Sequence, residues 1–582
     1  MKTDSTLTPV RRFFRLLKVD RKDVFYIYLY ASLAGLITLS LPLGIQAIIG
    51  LMVGGEMSSS LIILIAVVTL GTAFTGILTI LQMSVSETIQ RRLFTRSSFE
   101  FCYRIPRIRL ENYGRYYPPE LVNRFFDTLT LQKGIPKILM DFSSASLQIA
   151  FGLILISFYH PLFAVFGLVL GFILFLILRF TAHPGLKSSL QESDYKYRMA
   201  HWLEEIGRTL LTFKLSGTPS ITLEKTNALV SGYLDARKRH FKILLAQFGG
   251  IVGFKTLITC VILALGSYLV VSGQINIGQF VASEIVIILI LGSVEKLILN
   301  MEQIYDVLTA LEKIGKVTDM PLDKTGGLCM KELKVNGGLA LTLKDLSFRF
   351  PDASKDTLSA INLDIKAGEK VCIAGYNGSG KATLVRLISG LYNEFEGSLL
   401  INGVPYQNID IDDLRKHIGD FSLQEDIFRG TIAENICLRQ GNTSLMDLQQ
   451  VCKTVGLMEF IQQAPDGFTT ELIPGGRNIP KSVRTKILLA RCILHQPPLL
   501  ALEEFLSGFV AQDRQRLIDF LLSKEREWSL VAISNDLNFA IQCDRVVVMH
   551  EGDIVAQGSL AEVLKNEHAK AVFSQHESVK AA

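Results

Sequence analysis

Six apolar segments, each long enough to cross a bilayer, lie within residues 24–300 and constrain this chain more than any other feature. A hydrocarbon core takes about 20 helical residues to span. Backbone polar groups at that depth are satisfied only within a helix or a closed barrel. The segments fall near 24–52, 60–83, 142–159, 161–181, 247–272 and 277–300. The links between them sort by charge. Those near 53–59, at Tyr159–His160 and near 272–276 contain no Lys or Arg, whereas 84–140 and 182–246 are long and rich in both. An excess of Lys and Arg marks the cytosolic side, which puts the N-terminus and both long links in the cytosol.

The two long links carry apolar residues at mixed three and four spacing, the pattern of helices. Each could build two helical arms tens of ångströms long, with Tyr116–Glu120 and Thr212–Gly217 near the tips as expected contact points for a cytosolic domain. Ionisable residues inside spans are costly and therefore candidates for function. Glu284 sits roughly 11 Å along the sixth helix by helical rise, as a substrate-cavity residue or as a polar contact between helices. Lys255 lies in the inner part of the fifth helix. Glu295 and Lys296, near the cytosolic end, are expected to snorkel or to pair with each other.

Ahead of the first span, Val10, Phe13, Phe14 and Leu17 share one helical face, with Arg11, Arg12, Arg15 and Lys18 around the other. That spacing predicts a helix in the membrane interface within 1–23, and the segment has no small-residue cleavage site of a secretory signal. A net charge of +5 over 582 residues argues against a nucleic-acid partner. Eight cysteines without a CxxC pair suit a reduced, cytosol-facing protein.

Beyond residue 320 the composition becomes that of a soluble domain. The expected division is an interfacial helix over 1–23, a six-helix membrane domain over 24–320, a Pro/Gly-bearing linker over 321–340 and a cytosolic domain over 341–582. In the last of these, Lys370-Val371-Cys372-Ile373-Ala374 reads as a buried strand. It leads into Gly375-Tyr376-Asn377-Gly378-Ser379-Gly380-Lys381-Ala382-Thr383 and then an apolar helical pattern. Glycines let such a loop fold its N–H groups around phosphate oxygens, with the helix N-terminus aimed at them. Lys381 would reach the outer phosphates. The next position normally supplies the Ser or Thr hydroxyl that ligates magnesium. Ala382 has no ligand atom, and Thr383 is rotated about 100° further round the helix, so magnesium is left open.

With these motifs in place the chain resembles the ABC transporter family, in particular six-helix half-exporters with a fused nucleotide-binding domain. The turn Gly273-Gln274-Ile275-Asn276-Ile277-Gly278-Gln279 is similar to that of bacterial peptide and type I secretion exporters. The resemblance implies an all-α six-helix transmembrane exporter domain followed by an α/β P-loop nucleotide-binding domain, with ATP as the cofactor. It carries Phe350 over as the aromatic that stacks on adenine and Gln424 as the glutamine that links nucleotide state to the membrane arms. Gly375, Asn377, Gly378, Ser379, Gly380, Lys381, Ala382 and Thr383 become the phosphate loop. Leu499-Leu500-Ala501-Leu502 followed by Glu503-Glu504 looks like the second nucleotide strand, with Glu503 in place of the family's Asp and Glu504 in the general-base position.

The departures from the family pattern are as specific. Its Leu-Ser-Gly-Gly-Gln signature aligns with Ile479-Pro480-Lys481-Ser482-Val483, between Gly475-Gly476-Arg477-Asn478 and Leu489-Ala490-Arg491. The switch histidine aligns with Asn535, and the dimer-contact loop reads Ser507-Gly508-Phe509-Val510. The resemblance implies a second ABC half-transporter as partner, in a homodimer or a heterodimer, and a place in the inner (cytoplasmic) membrane with the nucleotide domain in the cytosol. A periplasmic adaptor of a secretion system would be a further partner. Three functions stay open on the sequence: an exporter-type subunit that binds ATP with impaired hydrolysis, a fully active exporter of a peptide, protein or lipophilic substrate, and a catalytically dead scaffold of a secretion complex.

Overall fold

The computed structural model describes residues 8–53, 59–111, 118–217, 219–333, 335, 337–351, 353–422, 426–438, 443–506 and 509–580. Contacts divide the chain into two compact units, Met1–Pro106 with Tyr116–Met320 and Arg107–Arg115 with Pro321–Ala582.

The described residues of the first unit are helical: α1 Pro9–Val19, α2 Arg21–Thr38, α3 Ser40–Val53, α4 Ser59–Arg104, α5 Pro118–Asn123, α6 Asp127–Ser157, α7 Pro161–Arg208, α8 Leu210–Leu215, α9 Ile221–Val271, α10 Ile277–Leu299 and α11 Met301–Thr318. Among the described residues six stretches are long and apolar enough to cross a membrane: Arg21–Met52, Ser59–Arg107, Pro119–Ser157, Val169–Arg208, Ile221–Val271 and Ile277–Thr318. Each apolar segment read from the sequence overlaps one of them. α4 has 46 residues, about 69 Å at helical rise, so a single helix covers both the span and the arm expected beyond it. The first span is two helices rather than one. The break falls at Leu39, where Pro42 has no N–H to offer the carbonyl of Thr38. The turn before α10 is fixed by a reciprocal cap, in which Gln279 N donates to Asn276 Oδ1 at 2.7 Å and Asn276 N to Gln279 Oε1 at 2.9 Å.

Charges in this unit pair differently from expectation. Glu295 and Lys296 do not pair with each other. Lys255 Nζ on α9 meets Glu295 at 3.0 Å, and Lys296 reaches Asp141 on α6 at 2.7 Å. Consecutive residues on a helix point about 100° apart, so neighbouring helices take one each. Half-buried Glu284 makes no hydrogen bond or ion pair among the described residues, which disfavours its reading as a polar contact within the chain. In α1 the apolar face is divided. Phe13, Leu16 and Leu17 pack into the bundle, while Val10 and Phe14 stay exposed. Arg12 holds Asp319 at 3.0 and 2.5 Å, over Gly315, where a Cβ would lie 2.2 Å from the guanidinium.

The described residues of the second unit form twelve strands. A four-stranded antiparallel sheet, β1 Leu341–Phe348, β2 Leu358–Ile365, β4 Glu396–Ile401 and β5 Val404–Pro405, has the order β2-β1-β4-β5. A six-stranded sheet runs β12-β11-β3-β10-β9-β6, built from β3 Lys370–Gly375, β6 Ile418–Phe421, β9 Leu499–Glu503, β10 Ser529–Ile533, β11 Arg545–His550 and β12 Asp553–Gly558. β7 Gly430–Thr431 and β8 Glu471–Leu472 form a small antiparallel ribbon. β3, β6, β9, β10 and β11 are parallel neighbours, and every residue of β3 is buried. A central parallel strand is covered on both faces, which is why its apolar run does not alternate with polar residues.

Most of the stretch read as a linker is laid onto this unit. Met330 is buried, Leu328 N donates to Asn408 O at 2.8 Å, and buried Asp323 accepts from Arg415 at 2.5 Å and Asn393 at 2.8 Å. Arg107–Glu111 of the first long link also belongs to this unit. Ile108 bridges Leu322, Arg107 pairs with Asp412 at 3.1 Å and Arg109 with Glu394 at 2.5 Å, and Glu111 accepts from Asn393 N. Of the expected tip, Tyr116 and Tyr117 lie outside the described residues. Glu120 pairs with Arg124 in its own arm at 2.9 Å. At the second tip, Leu215 is exposed at the end of α8.

Candidate functional site

The site grows from the end of β3. Gly375 has φ 151°, and a Cβ there would come within 2.3 Å of Met549 O. Gly380 has φ 94°, and its Cβ would meet Thr357 O at 2.9 Å. Only glycine takes these conformations against those neighbours, so the loop turns back over the strand. It then starts α12 Lys381–Ile388, with Gly380 as the left-handed N-cap. Lys381, 7% exposed, folds its ammonium into the loop and donates to Gly375 O and Tyr376 O at 2.7 Å each. Burial pulls its pKa below the ordinary lysine value, and the charge of Glu504 opposes that shift.

A cavity of about 350 Å³ lies over this loop. It is lined by residues 377–383, by Glu503 and Glu504 at the end of β9, and by Thr357 and Ile533. The parallel register that sets Glu503 opposite Ile533 brings the acidic pair to the loop. Glu504 itself has φ 48° and donates its N–H to Ile533 O at 3.2 Å. Glu503 is committed elsewhere: its Oε2 accepts from Ser422 Oγ at 2.8 Å and lies 3.4 Å from Arg386 Nη2 on α12.

Asn535 has a place that the sequence did not disclose. Its side-chain amide grips the backbone of Gly375 from both sides, with Gly375 N donating to Oδ1 at 3.1 Å and Nδ2 donating to Gly375 O at 3.2 Å. The residue expected as a lost switch histidine is therefore a brace on the phosphate loop. Arg386, Ser422 and Thr357 were also missed. Arg386 could have been suspected as a cation on the helix that Lys381 begins, but its partner is distant in sequence.

Phe350 does not line the cavity. It stands edge-on to Phe348 and Tyr392, with centroids at 5.0 and 5.6 Å. Gln424 lies outside the described residues, as do Ser507 and Gly508. The segment expected to carry the signature opens the helix Lys481–Ile493, with Pro480 at the N-cap and no side-chain cap bond. Proline brings no N–H to that end.

A model of the ABC transporter transmembrane region matches residues 24–294, and an ABC transporter model matches residues 358–507. The chain belongs to the ABC transporter family. Among curated ABC relatives, the ATP-dependent lipid A-core flippase of Chromobacterium violaceum is 33% identical over 218 residues, covering 38% of this chain and 37% of the relative. The transport/processing ATP-binding protein ComA of Streptococcus pneumoniae strain R6 is 28% identical over 305 residues, 52% of this chain and 42% of the relative. The leukotoxin translocation ATP-binding protein LktB of Mannheimia haemolytica is 27% identical over 303 residues, again 52% and 42%. The chain thus spans less than half the length of each of these relatives. A bacterial Atm1-family ABC exporter, solved with ATP bound, shares the fold at a TM-score of 0.84 and 18% identity, over 96% of this chain and 98% of the other. The six-helix domain followed by an α/β nucleotide-binding domain is therefore the ABC exporter fold.

The magnesium ion that the ABC phosphate loop implies can be tested against the donors present. Ala382 offers a methyl where a hydroxyl is needed. The Glu503 oxygen that faces α12 is shared between a hydroxyl and a guanidinium. This donor set does not fit a resident magnesium.

Proposed function

We propose that this chain is one half of an ABC exporter, a subunit that binds ATP in the cradle around Lys381 and hydrolyses it poorly. The observation that carries the reading is the cradle itself: a glycine loop closed over a buried Lys381, with Ala382 beside it offering no oxygen. Phosphoryl transfer depends on positioning and charge stabilisation more than on covalent chemistry. Removing one transition-state donor costs about 10²–10³-fold in rate, although such losses do not add. Glu504 keeps the position of a base, but the hydroxyl after Lys381, the signature serine and glycines, and the switch histidine are all replaced.

ABC sites form between two nucleotide domains, one giving the phosphate loop and the other the signature. In a homodimer each site would combine Ala382 with Ile479–Val483. Beside an intact partner, one site would carry this chain's loop and the other its altered signature. Working export with an intact partner is the second reading, favoured by relatives that bear the names of a flippase, a transport/processing protein and a leukotoxin translocator. A peptide, a protein or a lipophilic molecule is the cargo class those names support, and the inner membrane is the place. Calorimetry with ATP on the full chain in detergent tests the binding half of the proposal. Saturable binding that Lys381→Ala weakens by about tenfold or more is expected. Unchanged affinity in that variant would overturn the placement of the site.

A further inference from the structure

We propose that the cradle gains nothing from magnesium in binding its nucleotide, an inference that rests on the nucleotide reading and adds to it the part the metal plays. A metal in a phosphate site gains from the protein only through ligands that the protein turns toward it. Magnesium asks for near-octahedral oxygen donors and binds through one or two carboxylates plus substrate phosphates. The atom adjacent to Lys381 that would donate is a methyl, that of Ala382. The strand-end carboxylate, Glu503, has one oxygen held by Ser422 at 2.8 Å and by Arg386 at 3.4 Å. The Arg386 and Glu503 side chains are only 16% and 13% exposed. A dication drawing Glu503 away would leave a guanidinium in a poorly hydrated place without its counter-charge, which is costly.

The protein's own positive groups serve the phosphates instead. Lys381 is held in the loop by two carbonyls at 2.7 Å, and α12 begins directly after the loop, where a helix N-terminus stabilises anionic oxygens. With nothing gained from the metal, reciprocity of linked binding requires free ATP and its magnesium complex to bind with similar affinity.

The test is calorimetric titration of ATP into the full chain in detergent, once with excess magnesium chloride and once with excess EDTA. The dissociation constants are expected to agree within about threefold, and a larger weakening in EDTA overturns the inference. Absence of binding in both buffers would instead remove the nucleotide reading beneath it. Ala382→Ser returns the missing oxygen and is expected to open a gap of about tenfold in favour of the magnesium buffer. A flat response in that variant would overturn the role given to Ala382. Lys381→Ala should weaken both titrations equally, and a loss confined to the magnesium buffer would also contradict the inference.

Discussion

At the scale of single residues, the site turns on what stands next to a few charged groups. Lys381 is satisfied by loop carbonyls, Glu503 by Arg386 and Ser422, and Asn535 by both polar atoms of Gly375. Each contact ties the loop or its flanking strand to the fold rather than to a metal. At the opposite end of the same strand, Lys370 is buried and donates to Arg526 O at 3.0 Å and to Trp528 O. Burial lowers its pKa to about 8 against the pull of Asp544. Below about pH 8 both folded and unfolded chains hold this proton. Between there and the unfolded value near 10.4, only the unfolded chain does, so stability rises with pH across that window and levels off above it. Thermal denaturation of the full chain in detergent at about pH 8 and about pH 10, relative to Lys370→Met, should show that rise in the parent. Equal pH dependence in both proteins would contradict it.

At the scale of elements, legibility followed the range of the interactions. The strand, loop and helix around Lys381 could be read because a phosphate loop needs glycine at set places, and Gly375, Gly378 and Gly380 all adopt positive φ. The six spans could be read because hydrocarbon demands long apolar runs. The brace from Asn535 and the pairing of Arg386 with Glu503 join residues 160 and 117 positions apart, and no local pattern announces them. The strap of Arg107–Glu111 against Pro321–Asp323 escaped for the same reason, since its charges looked like those of any solvated arm. Asp323 is the hub of that strap. Asp323→Ala would strip Arg415 of a 2.5 Å partner and Asn393 of a 2.8 Å one, a loss of about 2 kcal/mol by the usual worth of hydrogen bonds to charged groups. A lowered Tm with Asp323→Ala, partly recovered by Asp323→Asn, is expected, and an unchanged Tm would show the strap to be passive.

For the whole molecule, the proposed function needs two nucleotide domains to meet and the membrane helices to enclose a pathway that six from one chain do not. The expected assembly is a dimer, six spans from each chain, measurable as mass in lipid nanodiscs. A monomer that is stable and functional there would rule it out. Glu284 is half-buried in α10, and its side chain has no partner among the described residues. Steady-state ATPase of the purified full chain, with and without Glu504→Gln, distinguishes a cradle that binds without efficient turnover from a working one. Hydrolysis at background in both proteins, from a sample that binds ATP, is the predicted result. Robust turnover in the parent that Glu504→Gln abolishes would contradict it.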